Sequence, residues 1–142
     1  MSHSNDPFPL GTHPIGGVVH RRSPYSVAES VQRLSDAIAG SGAKLFTVID
    51  QSGEADNAGL SLRDTKLVVF GSPAAGTPVM ETAPVAALDL PLKILVWADD
   101  NTEVWMTFLS GEWLAGRYGI PPELAKPLGA AETLTKQAAG SN

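Results

Sequence analysis

The residues whose types and spacing could support chemistry are concentrated in the stretch FGSPAAGTPVM at positions 70–80. An apolar segment ends there, and Gly71, Gly76 and Thr77 follow with two prolines among them. Glycine lets a ligand approach the backbone closely, and the N–H groups at the start of a helix can hold an anion. The stretch therefore predicts either a cradle for a small, anionic ligand or a plain turn from a strand into a helix.

The spacing of this stretch differs from that of the nucleotide-binding loops. A P-loop requires G-x-x-x-x-G-K-[ST], because its lysine reaches the outer phosphates and its hydroxyl holds magnesium. Gly71 and Gly76 have four residues between them, but Thr77 follows directly and the stretch contains no lysine. Thr77–Pro78 instead has the form of a helix N-cap followed by proline at the first helical position. We expect no nucleotide or other cofactor here.

Two aspartates are the candidates for proton transfer or ligand contact. Asp50 ends an apolar segment and precedes Gln51, whereas Asp89 stands between two leucines before another apolar segment. A carboxylate in apolar surroundings can have a raised pKa that suits proton transfer. Either aspartate can equally cap a loop by accepting backbone N–H groups, so neither is assigned as catalytic. The predicted ligand-binding residues are Asp50, Gln51, Gly71, Gly76, Thr77 and Asp89.

Composition argues against several other classes of protein. Ten basic and fifteen acidic residues give a net charge of −5, and no basic run exceeds Arg21–Arg22. We therefore expect neither nucleic-acid binding nor a basic membrane-binding patch. The chain has no cysteine, and two of its three histidines, His3 and His13, lie in the polar N-terminal stretch. No metal site is predicted, and with neither a signal peptide nor an apolar run of ~20 residues the expected location is the cytoplasm.

The elements that must hold these residues alternate between helices and strands. A capping-box spacing, Ser26 to Glu29, opens an amphipathic helix that should end near Gly40. Two of the apolar segments are continuous rather than alternating, which favours central strands, and the last two strands are close enough to form a hairpin. A further helix should be interrupted at Pro127. The predicted strands are residues 15–22, 44–50, 66–70, 93–97 and 103–109.

This order predicts one α+β domain. We expect a mixed or antiparallel sheet of about five strands with helices packed on it, because the hairpin does not suit a regular doubly wound fold. The domain should span residues 15–139, and residues 1–14, polar and rich in proline, should form a flexible arm. His20 falls in the first strand, where a surface or edge position is expected.

Three segments resemble the bacterial domain-of-unknown-function family 302: RRSPYSVAESVQRL, FGSPAAGTPVM and ALDLPLKILVWAD. They occur in the family's order, and the resemblance covers roughly residues 16–138. It implies a small α+β domain that forms homodimers, with no established activity. In the family an Ile-Asp-His sequence typically ends the second strand, but Gln51 takes the place of that histidine here. The family's Tyr-Asn-x-Pro-like segment is replaced by residues 108–111, Phe-Leu-Ser-Gly.

These observations leave three functions open. The first is a homodimeric module that binds a small molecule, an anion included, at the Gly71–Pro78 loop with Asp50 and Asp89 nearby. The second is a structural or protein-interaction domain without such a site, in which the three tryptophans fill the core or an interface. The third is an enzyme with Asp50 or Asp89 as general acid or base. Gln51 favours the first two, because glutamine does not exchange a proton near neutral pH.

Overall fold

The computed structural model describes residues 8–140, and its centre is an antiparallel sheet of five strands. The strands are β1 (Val18–Ser23), β2 (Lys44–Asp50), β3 (Thr65–Gly71), β4 (Leu92–Ala98) and β5 (Val104–Leu109). The helices are α1 (Val27–Gly40), α2 (Gln51–Asn57), α3 (Pro73–Thr82), α4 (Gly111–Tyr118), α5 (Pro122–Ala125) and α6 (Ala130–Ala138). Two 3₁₀ turns, Pro84–Asp89 and Lys126–Gly129, precede β4 and α6. The predicted α+β fold is confirmed.

The continuous apolar segments form the middle of the sheet, as predicted. The strand order is β1-β5-β4-β3-β2, so β3 and β4 each have a neighbour on both sides. Val68, Phe70 and Ile94 from these two strands are at most 1% exposed and form part of the core. The β4–β5 hairpin is also as predicted, and its register pairs Trp97 with Trp105.

Helix α1 begins and ends where its sequence indicates. The hydroxyl of Ser26 accepts the backbone N–H of Glu29 at 3.1 Å, which caps the first turn. Leu34 and Ile38 are fully buried in the core, as their helical spacing predicts. The chain leaves the helix at Gly42, whose φ of +84° lies in the left-handed region that glycine adopts without strain.

Strand β2 is the outer strand on the side of β3, and its apolar side chains are partly exposed. Leu45, Phe46 and Ile49 are 36%, 42% and 38% exposed. The pairing with β3 shifts between Leu45 and Thr47, so Phe46 occupies a β-bulge without a register partner. A bulge of this kind bends the strand and turns one side chain out of the regular alternation.

Helix α3 starts earlier than its sequence suggested. We predicted an N-cap at Thr77 and a first helical residue at Pro78, but the N-cap is Ser72, whose hydroxyl accepts the N–H of Ala75 at 3.3 Å. Ser72–Pro73 has the same N-cap-and-proline form and comes first along the chain. Pro78 therefore lies within the helix, and Thr77 bonds the carbonyl of Pro73 at 2.6 Å. The interruption at Pro127 is confirmed by the 3₁₀ turn there.

The N-terminal residues that the structure describes lie against the turn between β4 and β5. Asp99, 5% exposed, accepts the N–H of Leu10 at 3.1 Å and the indole N–H of Trp105 at 3.0 Å. It also accepts the backbone N–H groups of Asn101 and Glu103 within the turn. The first seven residues of the arm predicted over 1–14 lie outside the described residues, and that includes His3.

Candidate functional site

Gly71 and Gly76 line a cavity of about 310 Å³ beside α3. The cavity is bounded by β2, the end of β3, α3 and the 3₁₀ turn before α6. Among the described residues that line it, Ser41 and Ser72 carry the only polar side chains, and none is charged. The other side chains are aliphatic, aromatic or thioether groups, such as Phe70 on β3. The volume lies at the lower end of the range found for small-molecule sites.

The two glycines keep this space open rather than supply an unusual backbone conformation. Neither Gly71 nor Gly76 has a positive φ. A Cβ atom at Gly76 would have one neighbour within 4 Å, the methyl carbon of Met80 at 3.9 Å. A Cβ atom at Gly71 would lie 3.6 Å from Pro91 and 3.7 Å from Phe46, which is ordinary contact. Of the two positions, Gly76 therefore has more room for a larger side chain.

The mouth of the cavity combines an aromatic ring with a positive charge. Phe46, the residue in the β-bulge, lines the cavity and is 42% exposed. The ammonium group of Lys44 stands 5.2 Å from the centre of its ring, within the range of a cation–π contact. Because the described lining contains no charged side chain, a charged group of a ligand would keep its hydration only near the solvent-exposed rim of the cavity.

The backbone of residues 76–80 lies within α3 rather than at its start, so it does not offer the anion cradle that was one of the two alternatives for this stretch. Pro78 has no N–H group, and the other N–H groups of a helix interior bond carbonyls four residues earlier. The N–H of Gly76, for example, donates to the carbonyl of Ser72 at 2.8 Å. Thr77 is exposed and is absent from the cavity lining.

Asp50 and Gln51 lie at the opposite end of β2 from the cavity. Asp50 is paired with Lys66, whereas Lys44 is paired with Gly71. Six residues of extended strand therefore separate Asp50 from the Gly71 end, which corresponds to about 20 Å at ~3.3 Å per residue. Sequence order alone gave no distance between these groups, and the sheet register separates them.

Asp50 instead caps α2. Its carboxylate accepts the N–H of Gly53 at 3.0 Å, the hydroxyl of Ser52 at 2.9 Å and the ammonium of Lys66 at 3.3 Å. The Gly53 hydrogen bond is the largest of the contributions that lower the pKa of Asp50 below its usual value. A carboxylate held in its ionised form by a helix cap is suited to structure rather than to proton transfer.

Asp89 belongs to a second cavity of about 380 Å³. Its carboxylate accepts the hydroxyl of Tyr118 at 2.5 Å, and the guanidinium of Arg117 lies 3.8 Å away. The hydrogen bond to Asp89 is the main reason why the pKa of Tyr118 is raised. Leu92 lines both this cavity and the one beside α3.

Several lining residues were not identified from the sequence. Phe46, Val79, Met80 and Leu128 all line the cavity beside α3. Phe46 read as one position of an apolar strand, and nothing in that pattern indicates a bulge. Leu128 comes from the C-terminal part of the chain, directly after α5, and the packing of α5 against α3 brings it near. The local indication of this wall in the sequence was Gly76, which lies one helical turn before Met80 and lines the cavity with it.

A separate polar cluster lies on β1, β4 and β5. The Nδ1 atom of His20 is 2.9 Å from the hydroxyl of Thr107, which also accepts the indole N–H of Trp97 at 2.9 Å. The Nε2 atom of His20 is buried and has no hydrogen-bond partner among the described residues. Burial lowers the pKa of His20. In residues 8–140 no three metal-ligating side chains come together.

Comparison with known proteins shows the family of the chain. The family described as "Domain of unknown function DUF302" matches residues 19–138. The chain belongs to this family. A crystal structure of an uncharacterised conserved DUF302 protein from Bacillus stearothermophilus has the same fold, with a TM-score of 0.73. It is 13% identical, and the alignment covers 89% of this DUF302 chain and 98% of that one.

Curated relatives carry the name of an ion channel. This DUF302 chain is 35% identical over 136 residues to "Fluoride-specific ion channel FluC 1" of Brucella suis biovar 1 and of Brucella abortus biovar 1, and to "FluC 2" of Brucella melitensis biotype 1. The match covers 93% of this chain but 54%, 50% and 50% of those proteins. The chain thus spans about half their length. Within residues 8–140 no helix has both the length and the apolar character needed to cross a bilayer.

Proposed function

We propose that this DUF302 protein is a binding module that holds a small, largely apolar molecule in the cavity beside α3. The observation that carries the proposal is the cavity itself. It has the volume of a small-molecule site, and Gly71 and Gly76 of the predicted loop form part of its wall. The residues of this loop are therefore not closed off by packing against the rest of the protein, and this supports a binding role over a purely structural turn.

The lining defines the class of ligand. A charged group inside would lose its hydration without gaining a counter-ion, so the buried part of the ligand is apolar. Lys44 beside Phe46 offers a positive charge at the mouth. We therefore propose an amphiphile, of the class of straight-chain carboxylic acids, with its chain inside and its carboxylate near Lys44. The anionic character expected from the sequence is thereby restricted to the head group.

Filling the cavity from Gly76 tests this proposal. Octanoate binding is measured by isothermal titration calorimetry for the wild type, Gly76→Leu and Gly116→Leu. Both variants place leucine at a helical glycine and gain similar helix propensity, but a Cβ at Gly116 has no neighbour within 4 Å and that residue lines no cavity described above. We expect at least tenfold weaker binding for Gly76→Leu and no change for Gly116→Leu. Equal binding by all three proteins, or none by the wild type, would reject the proposal.

The same proposal includes a homodimer, as the family resemblance implies. Ile49 on the outer strand is 38% exposed, and it is paired with Leu67, which is also partly exposed. Apolar side chains that are adjacent on a surface favour association with a second copy. Native mass spectrometry should give twice the chain mass, and Ile49→Lys should shift the protein towards monomer without affecting octanoate binding. A wild-type monomer would exclude the dimer.

The curated relatives favour a second candidate, a module that serves a fluoride channel in the cytoplasm. The match to one half of proteins with that name supports it. The cavity beside α3 is unsuited to fluoride itself, because its described lining has no cation and the ion is strongly hydrated. Deletion of the gene should then make the host more sensitive to fluoride, and the wild-type gene should restore resistance. Unchanged sensitivity would rule this candidate out.

An enzyme that uses Asp50 or Asp89 has less support. Asp50 is an exposed helix cap, and Asp89 is already engaged by Tyr118.

A further inference from the structure

Leu92 lines both cavities. Of the described residues that line them, it is the one that they share. The chain passes between them as it enters β4, because Leu90 lines the first cavity and Asp89 lines the second. The two spaces are therefore adjacent at Leu92.

The second cavity could accept the continuation of an apolar chain. Its described lining is aliphatic and aromatic apart from Asp89, Lys93 and Thr107. A ligand that passed Leu92 would therefore leave an uncharged, apolar space and enter another that is mostly apolar but has polar groups in its wall. Leu92 is 9% exposed and is paired with Phe70, which lines the first cavity.

A leucine suits a barrier of this kind. Its side chain has two rotatable torsions and three staggered positions about each of them, so it can close the connection without any backbone change. A shorter side chain at the same position would remove the barrier and leave the strand pairing of β4 intact.

We infer that Leu92 sets the length of chain that the cavity beside α3 accepts, and that a longer ligand is admitted only when this side chain is shortened. The inference rests on the proposed function. In the wild type, affinity should rise by about fourfold for each added methylene while the chain lies in the first cavity. The rise should stop when the chain end reaches Leu92.

The experiment is a calorimetric series with hexanoate, octanoate, decanoate and dodecanoate as probes. It compares the wild type with Leu92→Ala, and with Leu92→Val in case the larger truncation prevents folding. The matched controls are Ile94→Ala and Ile94→Val, which truncate a fully buried residue of the same strand that lines neither cavity. Circular dichroism confirms that each variant is folded.

We expect the ratio of dodecanoate affinity to hexanoate affinity to be at least tenfold higher in the Leu92 variants than in the wild type, and we expect the Ile94 variants to keep the wild-type ratio. The same chain-length profile in the wild type and the Leu92 variants would overturn the inference while leaving the proposed function intact, provided that Gly76→Leu still weakens octanoate binding at least tenfold. If the wild type binds none of the four acids, the proposed function fails as well.

Discussion

The imidazole Nδ1 of His20 lies 2.9 Å from the hydroxyl oxygen of Thr107. This hydroxyl also accepts the indole N–H of Trp97, so its own hydrogen is free to be donated to His20. In that arrangement the ring nitrogen Nε2 carries the remaining proton. Nε2 is buried without a hydrogen-bond partner among residues 8–140, and the rings of Phe8 and Trp105 meet the imidazole edge to face.

We predict that this site makes the protein less stable in mild acid. Burial lowers the pKa of His20 below 6.5, so the folded state binds fewer protons than the unfolded state as the pH falls through that value. Stability therefore decreases as pH falls below about 6.5 and on towards the lower pKa of the folded protein.

Thermal unfolding of the wild type and His20→Gln between about pH 7.5 and about pH 5.5 measures this effect. As the pH falls, the melting temperature of the wild type should decrease more than that of His20→Gln. Parallel pH profiles would show that His20 does not titrate differently in the folded and unfolded states.

Gly17 is predicted to be irreplaceable. Its φ is +82°, and a Cβ atom there would lie 2.4 Å from ring carbons of Trp113. Gly17→Ala combines a left-handed backbone penalty with an overlap against a partly buried ring, so it should lower the free energy of unfolding by on the order of 3 kcal/mol. Urea denaturation measures the loss.

The neighbouring Gly16 provides the control. Its φ is not positive and a Cβ atom there would meet nothing within 4 Å. Gly16→Ala should therefore be close to neutral. If Gly17→Ala were equally neutral, the close packing of Trp113 on the backbone would not hold in solution.

Lys44 is predicted to select for an acidic head group. Lys44→Gln removes the charge at the mouth of the cavity, and exposed charge pairs contribute ~0.5–1 kcal/mol, so octanoate should bind about two to five times more weakly. Octanol, which has the same chain without the charge, should bind equally to both proteins. Added salt should reduce the difference for octanoate.

Lys66→Gln is the matched control for this measurement. Lys66 is a lysine of the neighbouring strand that pairs with Asp50 at the far end of β2. Lys66→Gln should leave the affinities for octanoate and octanol unchanged. A loss of octanol binding in Lys44→Gln would mean that the lysine acts through packing rather than through charge.

Asp50 is predicted to matter for α2 and not for the ligand. Asn is as good an N-cap as Asp, so Asp50→Asn should keep the helix capped, whereas Asp50→Ala leaves the N–H of Gly53 without its partner. The alanine variant should have a lower midpoint in urea than the asparagine variant. Octanoate affinity should be the same in both, because the cavity lies at the other end of the strand.

Hydrogen exchange of the Gly53 amide gives a local check, since it should accelerate in Asp50→Ala alone. A change in octanoate affinity in either Asp50 variant would contradict the separation that the register of β2 and β3 imposes.

More of the fold than of the candidate site could be predicted from the sequence. Helix α1 was readable because Ser26, the apolar spacing and Gly42 each specify a local geometry, and central strands were readable because burial on two faces leaves continuous apolar segments. Prediction of the site would have required the distances between strands and helices, which local sequence patterns do not contain. Asp50 and Gly71 are both at the end of an apolar strand, and only the antiparallel register of β2 and β3 reveals that these are opposite ends of the sheet.

The start of α3 is a second feature that the sequence did not predict correctly. Ser72–Pro73 and Thr77–Pro78 carry the same local signal, and the helix begins at the earlier pair. Pro73, Ala75 and Gly76 therefore line the cavity from within the helix rather than from a loop before it. A five-residue error in a helix start is therefore enough to hide one wall of the site.

The bulge at Phe46 also bears on the tendency of this protein to form fibrils. Residues 45–49, Leu-Phe-Thr-Val-Ile, form an uncharged stretch rich in strand-forming residues on an outer strand, which is the kind of segment that templates stacking of identical chains. The irregular residue interrupts the flat ladder that such stacking requires. The same irregularity that brings an aromatic ring to the cavity mouth thus protects the open edge, so a mutation that restores a regular strand should shorten the lag time of aggregation.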